Sequence, residues 1–212
     1  MAETVITVQG TFAKHYPAER ADATISVHHE GASRADVLAL ATATAEAVRA
    51  TIDAHPTDRW TSDRLQAWDE KPWSNDGAQL PLVFHARIGF SVRFSDFESL
   101  SAWIESVTEL DGVQVESLEW GLTESTRTTA TAEVRSRAVK DAVAKASVYA
   151  QSIGLASVTA TALADPGMLG VGVPAPETRM MKAAADVSHL SLKPADIEIE
   201  ATVDARFVAT GR

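Results

Sequence analysis

Two periods of apolar residues divide this chain into elements. Period two is clearest over residues 82–94, where Phe84, Ala86, Ile88, Phe90, Val92 and Phe94 share one face and His85, Arg87, Ser91 and Arg93 the other. One face of that strand is core and the other is wet or covered by a partner. The same alternation predicts strands over 21–30, through Ala21, Ala23, Ile25 and Val27, and over 197–207, with a shorter one at 158–163. A β-branched run, Val5 to Val8, opens the chain and is closed by Gly10, followed by a polar connection through Pro17. Residues 57–68, with Trp60 and Trp68 among polar neighbours, read as one further strand. In 113–122 the apolar phase slips by one between Val115 and Leu118, which predicts a bulge near Glu116-Ser117.

Helical spacing appears three times. Ser33 and Asp36 resemble a capping box before Val37, Leu38, Ala41, Ala45, Val48 and Ile52, and His55-Pro56 ends that helix. Ser95 and Glu98 open a second through Leu100, Trp103, Ile104 and Val107. The strongest helix runs from Thr128 to Gly154. Its apolar arc holds Ala138, Val139, Ala142, Val143, Ala146, Tyr149, Ala150 and Ile153, with threonines 126, 128, 129 and 131 as N-cap candidates and Gly154 as the stop. An arc made mostly of alanine lets this helix lie close to a sheet. Residues 21–122 thus read β-α-β-β-α-β, the split βαβ arrangement. With the first strand, the long helix and two closing strands, the fold class is α+β, helices packed on a mostly antiparallel sheet. One continuous domain over 1–212 is expected, with a division near Trp73–Leu80 as the alternative.

Composition narrows the chemistry. The 212 residues are 45% hydrophobic and contain no cysteine, which removes disulfides, thiolate nucleophiles and Cys-based metal centres. Nineteen Lys and Arg against 29 Asp and Glu give a net charge of −10, which disfavours nucleic acid and anionic membranes. No run reaches the length of a membrane span and no leader-like segment opens the chain, so a cytoplasmic location is expected.

Candidate sites are few. His28 and Glu30 share a strand face, but no HxxxH or HExxH spacing occurs and His29 points the other way, so the six histidines read as surface imidazoles, with no metal and no cofactor expected. His85, Arg87 and Arg93 form a basic strand face able to meet an anion, with Trp68 and Trp73 as a stacking platform beside it. Gly167 to Gly172 follows a strand, but Pro174 and Pro176 stand where a phosphate-binding helix would start, so a loop is the reading there. No GxSxG elbow occurs. Residues 165–194 are rich in Gly and Pro, and Met168, Leu169, Met180 and Met181 make them a candidate interaction loop.

Several marks together resemble the bacterial SIMPL-domain family. Val8-Gln9-Gly10 is similar to its opening V-x-G strand. Ala138 to Ala146, continued by Tyr149-Ala150 and Gly154-Leu155, resembles its A-x-x-D-A-x-x-K-A helix, and Pro194 followed by the strand to Phe207 resembles its closing segment. Pro17-Ala18 and Pro194-Ala195 stand where the family usually has Pro-Asp and Pro-Gly. The resemblance implies an α/β fold of unknown molecular function, no catalytic residues to carry over, and, as in some relatives, self-association. The expectation is a non-enzymatic, self-associating interaction or scaffold protein, loosely tied to stress protection. The alternative is a small-anion or small-ligand binder, or an enzyme, using the His85/Arg87/Arg93 face.

Overall fold

The computed structural model describes residues 3–73, 77, 79–169 and 192–211. In chain order, β1 spans Thr4–Tyr16, β2 Arg20–Gly31, α1 Arg34–Asp53, β3 Arg59–Ser62, β4 Gln66–Glu70, β5 Val83–Phe94 and α2 Phe97–Thr108. There follow β6 Val113–Gly121, α3 Glu124–Ser152, β7 Ser157–Ala164 and β8 Ile197–Thr210. The fold is α+β with antiparallel sheets, as expected. It groups into two compact units, Met1–Pro17 with Leu122–Ala184 and Asp196–Arg212, and Ala18–Gly121 with Ala185–Ala195.

In the first unit, three strands in the order β1-β8-β7 carry α3 on one face. β1 and β8 pair over thirteen residues without a break, from Thr4↔Ala209 to Tyr16↔Ile197. Gly10 does not end β1. It lies mid-strand because the helix passes directly over it: a Cβ there would stand 2.1 Å from the Ala138 carbonyl oxygen and 2.8 Å from the Ala142 Cβ. The helix can come this close because its buried stripe is Ala130, Val134, Ala138, Ala142, Ala146 and Ala150. That spacing of four is a ridge inclined to the helix axis, so the contact line drifts from a straight 100° projection. Val143 and Tyr149, expected in the buried arc, are consequently exposed, and Ile153 is already the C-cap, 59% exposed. The N-cap is Thr123, earlier than the threonines expected, with its hydroxyl accepting from the Thr126 amide at 3.3 Å. At the other end Gly154 takes φ +79°, and the amides of Gly154 and Leu155 donate to Gln151 and Ala150 at 3.0 and 2.9 Å. This is the paired 5→2 and 6→1 closure that favours glycine.

Two side chains of α3 also complete the outer edge of β1. The Asp141 carboxylate accepts the Thr11 amide at 2.9 Å, and Lys145 Nζ donates to the Gln9 carbonyl at 3.0 Å while pairing with Asp141 at 2.6 Å. The hydrogen bond from Lys145, and then that from Thr11, hold the Asp141 carboxyl below its ordinary range. Nearer the end of β1, Glu133 accepts from Lys14 Nζ at 3.0 Å and from the Tyr16 hydroxyl at 2.9 Å, and these bonds lower its pKa likewise.

The second unit is the split βαβ arrangement. Its sheet runs β3-β5-β2-β6 with β4 also on β5, every pairing antiparallel. One face of β2 and β5 meets α1 and α2 in a core of Ile25, Val27, Phe90, Val92, Phe94, Val48, Ile52, Leu100, Trp103 and Ile104. Leu192 packs on the same core. Trp103 donates its indole N–H to Thr51 Oγ1 at 3.2 Å, so the largest buried ring keeps its polar atom satisfied. Residues 57–68 are not one strand: β3 and β4 are separated at residues 63–65, where the Asp63 amide donates to the Gly89 carbonyl at 2.9 Å. The bulge in β6 is where the phase slip placed it, the β2 register passing from Thr24↔Ser117 to Ile25↔Val115 so that Glu116 is the extra residue. Helix α2 is capped by Asp96 and not Ser95. Asp96 accepts from the Ser99 hydroxyl at 2.6 Å and the Glu98 amide at 3.0 Å, which lowers its pKa, and Ser95 donates to Asp58.

Gly10→Ala should therefore cost about 3 kcal/mol, at the upper end of overpacking, because the obstructing atom is backbone. Urea unfolding measures this, and an unchanged midpoint refutes the close approach. A depressed Asp141 pKa contributes stability that is complete above the unfolded-state value of about 3.9 and lost as pH falls through the lower folded value. Asp141→Asn should then flatten the acid side of the stability-versus-pH curve relative to wild type.

Candidate functional site

The face of β2 and β5 turned away from the helices carries the polar half of each alternation. Antiparallel register sets His28 opposite Arg87, Glu30 opposite His85 and Asp22 opposite Arg93. On the far side of β5, Trp68 of β4 stands opposite His85, and Glu70 lies two residues along the same face. Five residues from three strands, His28, Glu30, Trp68, Glu70 and His85, thus meet at one end of the sheet.

There His28, His85 and Trp68 form a set of nearly parallel rings. Centroids are 5.5 Å apart for His28–His85, 5.1 Å for Trp68–His85 and 5.9 Å for His28–Trp68, with interplanar angles of 4°, 8° and 10°. His28 Nε2 lies 3.3 Å from His85 Nδ1, and Glu30 Oε2 lies 3.4 Å from that same Nδ1. The other ring nitrogen of His85, Nε2, faces Glu70 Oε1 at 3.5 Å and makes no hydrogen bond among the described residues, although the side chain is only 8% exposed. A buried donor without a partner carries a desolvation cost of about 1–3 kcal/mol. The strands hold the ring there despite that cost.

The residues expected to form a basic site are divided by the structure. His85, Arg87 and Trp68 lie at one end of the face. Arg93 is eight residues further along β5, about 26 Å away at strand rise. There Asp22 holds it through two bonds at 2.7 and 3.2 Å, and hydrogen bonding to Asp22 raises its pKa further. Arg87 is itself paired with Glu116, the residue that the bulge displaces. Trp73 bridges to Gln79 and is 68% exposed, with no described contact to His85. Both arginines are therefore occupied by carboxylates, and Glu30 and Glu70 add acidity around the imidazoles. The face is better suited to a cation than to an anion. His28 and Glu30 were legible on one strand face, but their meeting with His85 depends on strand register across 57 residues, and Glu70 gave no signal at all.

Of the expected interaction loop, Met168 is 75% exposed and the Leu169 carbonyl accepts from Arg206 Nη2 at 3.5 Å. Met180 and Met181 lie outside the described residues. No helix among the described residues is long and apolar enough to cross a membrane.

The two units, each a helix-covered antiparallel sheet, define an α+β protein whose polar chemistry is gathered on strand faces. The SIMPL family model, a protein of unknown function (DUF541), matches residues 6–207, and the chain belongs to that family. No curated protein sequence matches it.

If the His85 ring is held against its own stability interest, His85→Leu should be neutral or mildly stabilising, within about 1 kcal/mol. A loss of 3 kcal/mol or more in urea unfolding would mean that the ring is part of the core and not of a site.

Proposed function

We propose that this protein is non-enzymatic and works by self-association, pairing the outer edge of β7, which no described strand covers, with the same edge of a second copy. The observation that supports this reading is the contrast between the two outer strands of the β1-β8-β7 sheet. The edge of β1 is closed at Gln9 and Thr11 by Lys145 and Asp141. β7, Ser157–Ala164, reads SVTATALA, with no charged residue and no proline, and Leu163 on it is 51% exposed. Edge strands are ordinarily protected by charge, proline or a covering element. Among the described residues the one such device on β7 is its irregularity at Thr161, where the register skips between Ala160 and Ala162. An unprotected antiparallel edge pairs with its own copy about a two-fold axis, the commonest closed symmetry. A role in stress protection would follow from what such an assembly holds.

A second reading, ligand binding on the His85 face, draws on the ring stack of His28, His85 and Trp68. In its anion form it is weakened by the pairing of Arg87 and Arg93 with Glu116 and Asp22.

The test is light-scattering mass of the full chain beside Thr159→Lys/Leu163→Lys, which places two charges on the β7 edge. A defined oligomer that dissociates in the variant supports the reading. A monomeric wild type, or an oligomer of unchanged mass in the variant, removes it.

A further inference from the structure

We infer that His28, His85 and Glu30 form a site for a borderline divalent metal ion of the zinc class. The reading is independent of whether the chain self-associates. A tetrahedral ion with nitrogen and oxygen ligands at 2.0–2.1 Å has ligand–ligand edges of about 3.3–3.4 Å. His28 Nε2 and Glu30 Oε2 lie 3.3 and 3.4 Å from His85 Nδ1, and the three ligand atoms all fall within 4.8 Å of one another. Two of the three edges thus match one tetrahedral coordination sphere, and the third is adjustable by side-chain rotation of Glu30, which is 64% exposed.

A carboxylate stands near the ring nitrogen that would carry the proton in the tautomer a metal requires. A ligating imidazole presents a bare nitrogen to the ion and turns its other N–H to a carboxylate or carbonyl, which orients the ring and makes the ligand more basic. Glu70 Oε1 stands 3.5 Å from His85 Nε2. With the proton on Nε2, His85 Nδ1 is left as a bare nitrogen beside His28 Nε2 and Glu30 Oε2. Glu70 is in this scheme a positioning residue, acting through His85. Trp68, stacked on His85 at 5.1 Å, fixes the ring plane.

The ligand chemistry selects the ion. Two imidazoles and one carboxylate suit Zn²⁺, Co²⁺, Ni²⁺ and Cu²⁺ better than the hard ions Mg²⁺ and Ca²⁺, which take oxygen ligands. Three protein ligands leave a fourth position for water or an incoming group, and Glu30, 64% exposed, places that position toward solvent.

The experiment is competition of the full-length chain against a chromophoric chelator for Zn²⁺, with Co²⁺ as a spectroscopic probe of geometry. The expected result is one Zn²⁺ per chain and visible Co²⁺ bands of tetrahedral intensity. His28→Ala and His85→Leu should each remove Zn²⁺ binding and those bands. Glu70→Gln should retain the Co²⁺ bands but weaken Zn²⁺ about 10–100-fold, the effect of losing an outer carboxylate. His15→Ala, which alters another histidine near a carboxylate, should change nothing. Circular dichroism confirms that each variant is folded, and His28, being partly exposed, keeps the test valid if His85→Leu fails to fold. Wild type without Zn²⁺ affinity, or folded His28→Ala with wild-type affinity, overturns the site and leaves a plain imidazole–imidazole hydrogen bond.

Discussion

Gly10 sets the distance at which α3 can lie on its sheet, and the first unit is arranged around that distance. With no side chain at position 10, the Ala138 carbonyl and the Ala142 methyl occupy the space a Cβ would need. Only at this separation do the short side chain of Asp141 and the extended one of Lys145 reach the edge amide of Thr11 and the carbonyl of Gln9. Glycine, alanine ridge and ion pair are one device. A larger residue at 10, 138 or 142 lifts the helix and removes both edge bonds together, which is why close-packed interiors respond sharply to a single methyl group.

This joint explains the marks by which the chain resembles its family. Val8-Gln9-Gly10 and the A-x-x-D-A-x-x-K-A helix lie far apart in sequence but contribute opposite halves of the same contact, Gly10 against Ala138 and Ala142, Thr11 with Asp141, Gln9 with Lys145. These groups belong to the first unit, whereas His28, His85 and Glu30 belong to the second. The family's signature in this chain is accordingly a record of how α3 is seated. What the protein binds has to be sought on surfaces that the signature does not include.

Local periodicity made most of the fold legible, and its failures have physical causes. The alternation in residues 82–94 identified the core face of β5 residue by residue, and the phase slip located the β6 bulge at Glu116. Gly10 was read as a strand end because glycine is a poor strand former, whereas its function is close approach, a tertiary cause that no local window contains. Val143 and Tyr149 were placed in the core by a straight projection that ignores the tilt of a four-residue ridge. The α2 cap was misplaced by one residue because Ser95 and Asp96 are both competent, and Ser95 is taken by Asp58. The candidate site was legible only in halves. Each strand announced its polar face, but which polar residues meet is a matter of register, and register is set by the opposite face.

That dependence gives the His28–His85 pair its significance. Matching Ile25 to Phe90 and Val27 to Ile88 in the core fixes the β2–β5 register, and a slip of one residue would carry every core side chain to the wrong face. With that register fixed, Glu30 must stand opposite His85 and His28 opposite Arg87, whatever those residues are. Core packing therefore determines the geometry of the polar face but leaves its chemistry free. A surface of unrelated polar residues would satisfy the fold equally well. Instead two imidazoles, an indole and two carboxylates gather at one end, with a buried ring nitrogen left without a hydrogen bond among the described residues. Core packing supplies no reason for that composition, and the inferred cation site would.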